Sequence, residues 1–489
     1  MKPIIKTITA FLCSVILFTS CKKVDFGNIN QNPNQTTEPI TAALLTNVMG
    51  GPNGGIGDIG FNVWNQGGLR TVAGYYGQYY SQTQYTEFSR YDRTTTNMDG
   101  FYNGPLFDLQ NIINYNTDPG TMGNATIYGS NNNQVAVARI LKVYFYWTIT
   151  DMWGDIPYSQ ALKGNGNIPY DKQEAIYPDL LKELKESIAQ FDGGSPAKGD
   201  ILLNGNIPRW KKFANSLRML IALQMSKANP TLAKSEFASA LTDPAGYIET
   251  NTDNIAIAYP GGNYQNPFYN YYNVVHRDDE AVCKTLTDWL SNHTDNRINA
   301  YGSSSIGFPY GLTRDNAVAF GNSNPTFARP LKPNLREETD PIVLVGAAHI
   351  LLARAEAAQL GWTAENFSNL YYAGIEQSWR EWGVYDAVQF NAYKANSDVD
   401  LSVGEVYKKI STQQWLAWYP SGVRGWSVWR RTGYPVLSPA PGLTTIPRRM
   451  AHGPNEPQLN PLNYATAAAN YTVNGEADSQ YARVWWDKP

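Results

Sequence analysis

Long apolar stretches of helical spacing alternate along this chain with polar ones rich in Gly, Pro and Asn. Three asparagines at 131–133 precede residues 134–153, which are apolar almost all round, and this predicts a helix buried on every side. Tyr177, Leu180, Leu181, Leu184 and Ile188 recur at i, i+3, i+4, i+7 and i+11, predicting an amphipathic helix that stops at Gly193-Gly194. Trp210, Phe213, Ala214, Leu217, Leu220 and Ile221 repeat the pattern and give out near Asn229-Pro230. Further helices are predicted over 280–290, 343–359, 367–382 and 406–418. With no run of alternating strands between them, such helices point to pairs stacked as a solenoid.

The polar stretches differ from one another. Residues 22–40 are rich in Asn, Thr and Pro and read as an extended tether. Residues 259–275 (YPGGNYQNPFYNYYNVV) and 299–341 are long, irregular and full of Gly, Pro, Asn and Tyr. Loops of this length are uncommon unless they carry function or are disordered, and aromatic content argues against disorder. A ligand is to be sought there.

The first residues are a targeting segment. Lys2 and Lys6 precede an almost wholly apolar stretch at 8–18, which is too short for a bilayer span of about 20 residues. Thr19-Ser20-Cys21 then resembles a bacterial lipobox, with Phe18 where a Leu is usual. The expectation is a signal peptide over 1–20, lipid on Cys21, a tether over 21–40 and a helical domain over 41–489, attached to a membrane surface. Cys13 leaves with the signal and Cys21 takes the lipid, so Cys283 alone remains and no intrachain disulfide or cysteine metal cluster can form.

Charge excludes one class of partner. A net charge of −3 gives no basic footprint for nucleic acid. Aromatic residues change the picture more: 14 Trp, 32 Tyr and 17 Phe, with Tyr nearly double Phe. Tyr and Trp combine an apolar face with a polar handle, which suits sugar rings and also peptides. Tyr75, Tyr76, Tyr79, Tyr80 and Tyr85 stand among Gln, Ser and Thr in AGYYGQYYSQTQYTEFSRY. Tyr75, Tyr79 and Gln82 would share a helical face, so half of that cluster is expected in the core. Tyr264, Phe268, Tyr269, Tyr271 and Tyr272 fall in the loop, where packing and binding are equally open readings. The candidate ligand contacts are Trp64, Tyr79, Tyr80, Tyr85, Tyr264, Tyr269, Tyr271, Tyr272 and Tyr310.

Catalytic and metal chemistry fares worse. Asp151 and Asp155, around Trp153 in WTITDMWGDIPYSQ, could be a glycosidase pair, which needs carboxyls roughly 5–9.5 Å apart across a substrate. They stand at a helix end, where Gly154 can take a left-handed C-cap and Pro157 blocks continuation, so a structural turn is the favoured reading. His276-Arg277-Asp278-Asp279-Glu280 lacks a second His at helical spacing and the Gly of a calcium loop, and reads as a solvated charged turn. His293, His349 and His452 are isolated in sequence. Gly50 to Gly60 lacks the Lys-Ser/Thr ending of a phosphate loop, and no cofactor motif is present.

Five ordered segments resemble one family, the SusD/RagB outer-membrane lipoproteins of Bacteroidetes. They are FGNINQNPNQTTEP at 26–39, TDMWGDIPYS ending the buried helix, ILLARAEAAQLGW at 350–362, ISTQQWLAWYPSGVRGWSVWRRTGYPVL at 410–437, and IPRRMAHGPNEPQLNPLNY at 446–464. The resemblance implies a mainly α fold of tetratricopeptide-like helix pairs in a superhelix, with irregular loops over one face. It implies a surface lipoprotein that binds an oligosaccharide, or in some members a peptide, and delivers it to a SusC-like TonB-dependent transporter barrel, without catalysis. The alternatives from other classes are a secreted glycoside hydrolase using Asp151 and Asp155, and a surface adhesin with no transporter.

Overall fold

In the computed structural model, residues 38–50, 69–92, 97–262 and 264–489 are described. Trp64, the lipobox cysteine Cys21, the signal segment 1–20 and nearly all of the tether lie outside them. So does most of the Gly-rich stretch.

The helices form where the periodicity places them, and their ends are set by caps. Helix α1 (Thr41–Gly50) is followed by α2 (Leu69–Tyr76), α3 (Phe107–Thr117), α4 (Asn131–Trp153), α5 (Gln173–Gln190), α6 (Ile207–Gln224) and α7 (Pro230–Leu241). After them come α8 (Lys284–Asn292), α9 (Arg314–Ser323), α10 (Ala347–Gln359), α11 (Phe367–Glu381), α12 (Ala387–Lys394), α13 (Val406–Ala417), α14 (Gly422–Thr432) and α15 (Pro461–Ala469). The Ser130 hydroxyl accepts from the Asn133 N–H to open α4. Asn206, Asn229 and Asn366 do the same for α6, α7 and α11. These are the side chains that best satisfy the orphan N–H groups of a first turn.

Consecutive helices pack as pairs: α4 with α5, α6 with α7, α10 with α11, and α13 with α14. Contacts of α5 with α6, α6 with α10, and α10 with α13 join the pairs into one stack. Helix α3 packs on α4, and α2 on α14. The fold is thus mainly α, with tetratricopeptide-like pairs. Residues Thr41–Pro489 make one compact unit. Its main core runs through all four pairs, and a smaller one gathers Leu352, Tyr371, Trp379, Phe390 and Tyr393.

Three two-stranded antiparallel ribbons supplement the helices. Strand β1 (Tyr80–Gln82) pairs with β5 (Glu280–Val282), β2 (Ile156–Pro157) with β3 (Tyr170–Asp171), and β4 (Ile255–Ile257) with β6 (Ile342–Val345). Two predicted helices are shortened by them. Residues 280–282 form β5, so the helix read from 280 begins at Lys284. Residues 342–345 form β6, and α10 begins after Gly346. A helical Tyr75–Gln82 face is also absent, because α2 stops at Tyr76 and the chain turns into β1.

The turn after α4 is held from all sides. Gly154 has φ +88°, and a Cβ there would stand 2.2 Å from the Tyr471 hydroxyl. That hydroxyl accepts from the Asp155 N–H and donates to Asp155 Oδ1, both at 2.8 Å. The Gly154 ψ of −116° is not the left-handed cap that the sequence suggested, so the glycine serves close approach instead.

Candidate functional site

Asp151 and Asp155 are not an active site. Asp151 is fully buried, and its Oδ2 lies 3.0 Å from Arg424. The Trp486 indole N–H reaches its Oδ1 at 3.1 Å, and the Tyr177 hydroxyl donates to the same oxygen. Burial raises its pKa, while Arg424 and Arg430 pull it back. Asp155, also buried, accepts from the Gln173 N–H at 3.0 Å and from Asn470 at 3.1 Å. Both carboxylates are buried and hydrogen-bonded inside the protein, so the turn reading accounts for them and they do not face a substrate.

The aromatic candidates separate by burial. Tyr79 and Tyr80 are fully buried: the Tyr79 hydroxyl donates to the Trp415 carbonyl and that of Tyr80 to the Pro420 carbonyl, at 2.8 Å for the latter. Tyr271 is 3% exposed and packs edge-on against Tyr272. These three expectations are corrected, since a ring with no free face cannot stack on a ligand. Tyr272 is half-buried beneath the Arg336 guanidinium, 3.8 Å from its centroid. Tyr310 is half-buried and donates to the Tyr75 carbonyl at 2.7 Å. Tyr269 is half-buried in the short helical turn after Asn266. Tyr85 and Tyr264 remain open, at 47% and 50% exposure.

Tyr85 lines an open depression, of about 660 Å³, with Gln84, Val275, Arg277, Asp279 and Arg314. The β1–β5 ribbon builds it. Gln82 pairs with Glu280, and the Thr83 N–H continues the ladder to the Asp279 carbonyl at 2.8 Å, so the segments leaving the two strands stay side by side. The Gln82 side chain then fixes the exit, accepting from the Gln84 and Tyr85 N–H groups at 3.1 and 3.3 Å. Its amide donates to the Tyr75 hydroxyl at 3.0 Å.

Two guanidiniums line the depression, and that of Arg277 lies over the Tyr85 ring. Arg277 lies 5.5 Å from its centroid, and Arg277 Nε meets both Asp279 oxygens at 3.1 Å. That hydrogen bond raises the Arg277 pKa above its usual value against the opposing pull of burial. Arg314, at the start of α9, donates to the Thr83 and Gln84 carbonyls at 3.2 and 2.9 Å. Half-exposed Val275 adds an apolar rim. An open ring face beside amide, guanidinium and carboxylate groups offers stacking and hydrogen bonds to a polar ring-bearing ligand. The depression's one carboxylate is clamped by Arg277, so it presents no acid–base pair. Sequence reasoning singled out Arg277 and Asp279 only as a solvated turn and did not reach Arg314. The signal that joins them is the ribbon, not their spacing.

Among the described residues no helix is long and apolar enough to cross a membrane, and no three His, Cys, Asp or Glu side chains gather as a metal site.

The sequence matches the family described as "Starch-binding associating with outer membrane" over residues 33–452. The fold is shared with a solved chitin-binding protein at 27% identity and TM-score 0.74, covering 92% of this chain and all of that one. A chitin-binding SusD homologue from Flavobacterium johnsoniae matches at 22% identity and TM-score 0.71, over 92% of this chain and 98% of its own. A SusD homologue from Bacteroides uniformis matches at 23% and 0.73, over 92% and 99%. Among curated proteins no match was found.

Proposed function

The chain belongs to the SusD-like family, and from that premise we propose that it is a lipid-anchored outer-membrane protein that binds an oligosaccharide at the Tyr85 depression and passes it to a TonB-dependent transporter barrel. The observation that carries the ligand half is the open Tyr85 ring, with Arg277 over it and Gln84, Val275 and Arg314 lining the same depression. Pyranose rings stack their C–H faces on such an aromatic and give their hydroxyls to the surrounding amides and charges. Two solved structures described as chitin-binding share the fold, which makes β-linked N-acetylglucosamine oligomers the first ligands to try. The anchor is Cys21, at the end of the signal segment; the lack of a membrane-crossing helix among the described residues is compatible with it.

Calorimetric titration of the protein with chitin- and glucan-derived oligosaccharides, beside peptides of matched size, tests the reading. Saturable binding of an oligosaccharide, weakened about tenfold in Tyr85→Ala, is expected. Binding of peptides alone would overturn the sugar half. Co-purification with a transporter barrel from native outer membranes is expected of the delivery half, and its failure would leave an adhesin as the better account.

A further inference from the structure

A second recess lies apart from the Tyr85 depression, where the C-terminal end of α11 meets the corner between α13 and α14. Its volume is about 160 Å³, close to that of the roughly 150 Å³ apolar cavity that holds one benzene ring. Four aromatic rings line it: Phe268, Trp382, Trp418 and Tyr419. Exposed Pro341 and half-buried Asp340, Glu381 and Trp382 also line it and open it to solvent.

The charges at its surface have one sign. Its lining contains the carboxylates of Glu381 and Asp340 and no Lys or Arg. The remaining ionisable side chain, His349, is a neutral wall. Its Nδ1 accepts from the Gly346 N–H at 2.9 Å, so Nε2 carries the proton and gives it to the Ala417 carbonyl at 3.1 Å. Burial lowers its pKa to about 4, and its ring stacks on Trp418 with centroids 3.6 Å apart.

Glu381 is under-satisfied. One oxygen accepts from the Asn254 amide at 3.1 Å, and among the described residues the other has no partner. Neighbouring Trp382 has a buried indole N–H that also finds none. Half-buried acceptors of this kind call for a donor from outside. Aromatic rings around carboxylates are the arrangement that attracts an alkylammonium group, by cation–π attraction and charge together.

We infer that the recess lined by Trp382, Trp418, Tyr419 and Glu381 is a binding site for a small organic cation, an ammonium compound of about one ring's volume. Sugar binding at the Tyr85 depression is independent of it, and either can fail alone.

Calorimetric titration of the full chain at pH 8 with choline and with its neutral isostere 3,3-dimethylbutan-1-ol tests it. The two probes share a shape and differ in charge. Choline is expected to bind at least about tenfold more tightly than the alcohol. Glu381→Gln should remove most of that preference with the alcohol's affinity unchanged, and Trp382→Leu should reduce it as well. The two variants are first checked by their melting curves, and the one that folds as the parent does serves. The proposal is overturned if choline binds no better than the alcohol, if neither binds, or if the preference survives in the folded variant.

Discussion

Arg431 and Glu356 allow the stack of helix pairs to be tested at its centre. Arg431 of α14 is 2% exposed and Glu356 of α10 is fully buried. Arg431 Nη2 stands 2.8 Å from Glu356 Oε2, and Nη1 closes on Oε1 to make the pair bidentate. Gln414 of α13 completes the triangle, donating to Glu356 at 2.8 Å and accepting from Arg431 at 3.1 Å. Burial alone would depress the Arg431 pKa, and the Glu356 carboxylate more than reverses that. Arg431→Met leaves a buried carboxylate without its cation, which costs about 3–5 kcal/mol. That is a large share of a typical stability of about 5–15 kcal/mol. Adding Glu356→Leu removes the stranded charge, while Gln414 keeps the Leu352 carbonyl at 3.2 Å. The double variant should recover most of the loss, a coupling of about 2 kcal/mol or more. Urea unfolding followed by tryptophan fluorescence measures all four members of the cycle. A single variant losing under about 1 kcal/mol, or a double variant no better than the single, would refute the reasoning.

Tyr85→Ala should weaken oligosaccharide binding about tenfold with the melting temperature unchanged, whereas Tyr271→Ala should cost about 3–5 kcal/mol of stability; reversed outcomes in calorimetry and thermal melts would misplace the site. Burial raises the Glu381 carboxyl from 4.5 to about 7, so the folded chain holds that proton more tightly than the unfolded one and loses stability as pH rises through this window. Glu381→Gln escapes the loss, and its stability relative to the parent should climb by up to about 3 kcal/mol between pH 4.5 and 8; a flat difference counts against the burial assigned here. Gly154→Ala should destabilise by at least about 2 kcal/mol in urea melts, because φ is +88° and the new Cβ meets Tyr471.

What could be read from the chain was what is local in it. The i, i+3, i+4 pattern of Tyr177 to Ile188 and the asparagine caps belong to single helices, and the structure returns them nearly unchanged. The ribbons could not be read. Strands of two to four residues carry no periodicity, and β1 finds its partner about 200 positions away, between Gln82 and Glu280. Val343 to Val345 was apolar enough to pass for the start of a helix, and only pairing with β4 makes it a strand. The site inherits this limit. Tyr85 stood out as an aromatic among polar residues, but Arg277 and Arg314 reach it only through the ribbon and the start of α9. The family segments were legible for a related reason. TDMWGD, VRGWSVWRR and PRRM meet in space, where Arg424 binds Asp151, Arg430 bonds the Asp151 and Arg448 carbonyls, and Arg449 that of Trp153. In this chain these segments hold one another.

That meeting point also sets a timetable. Asp151 takes the Trp486 indole as one of its donors, and Asp487 binds Arg448 at 2.6 Å and Arg483 at 2.8 Å. A chain emerging from a ribosome has Asp151 in hand for more than 330 residues before Trp486 arrives. Until then the end of α4 lacks a donor to its buried carboxylate, and closing so long a loop is slow. The end of α4 is therefore completed only once Trp486 is in place, and a site begun early in the chain waits on contacts made across that whole span.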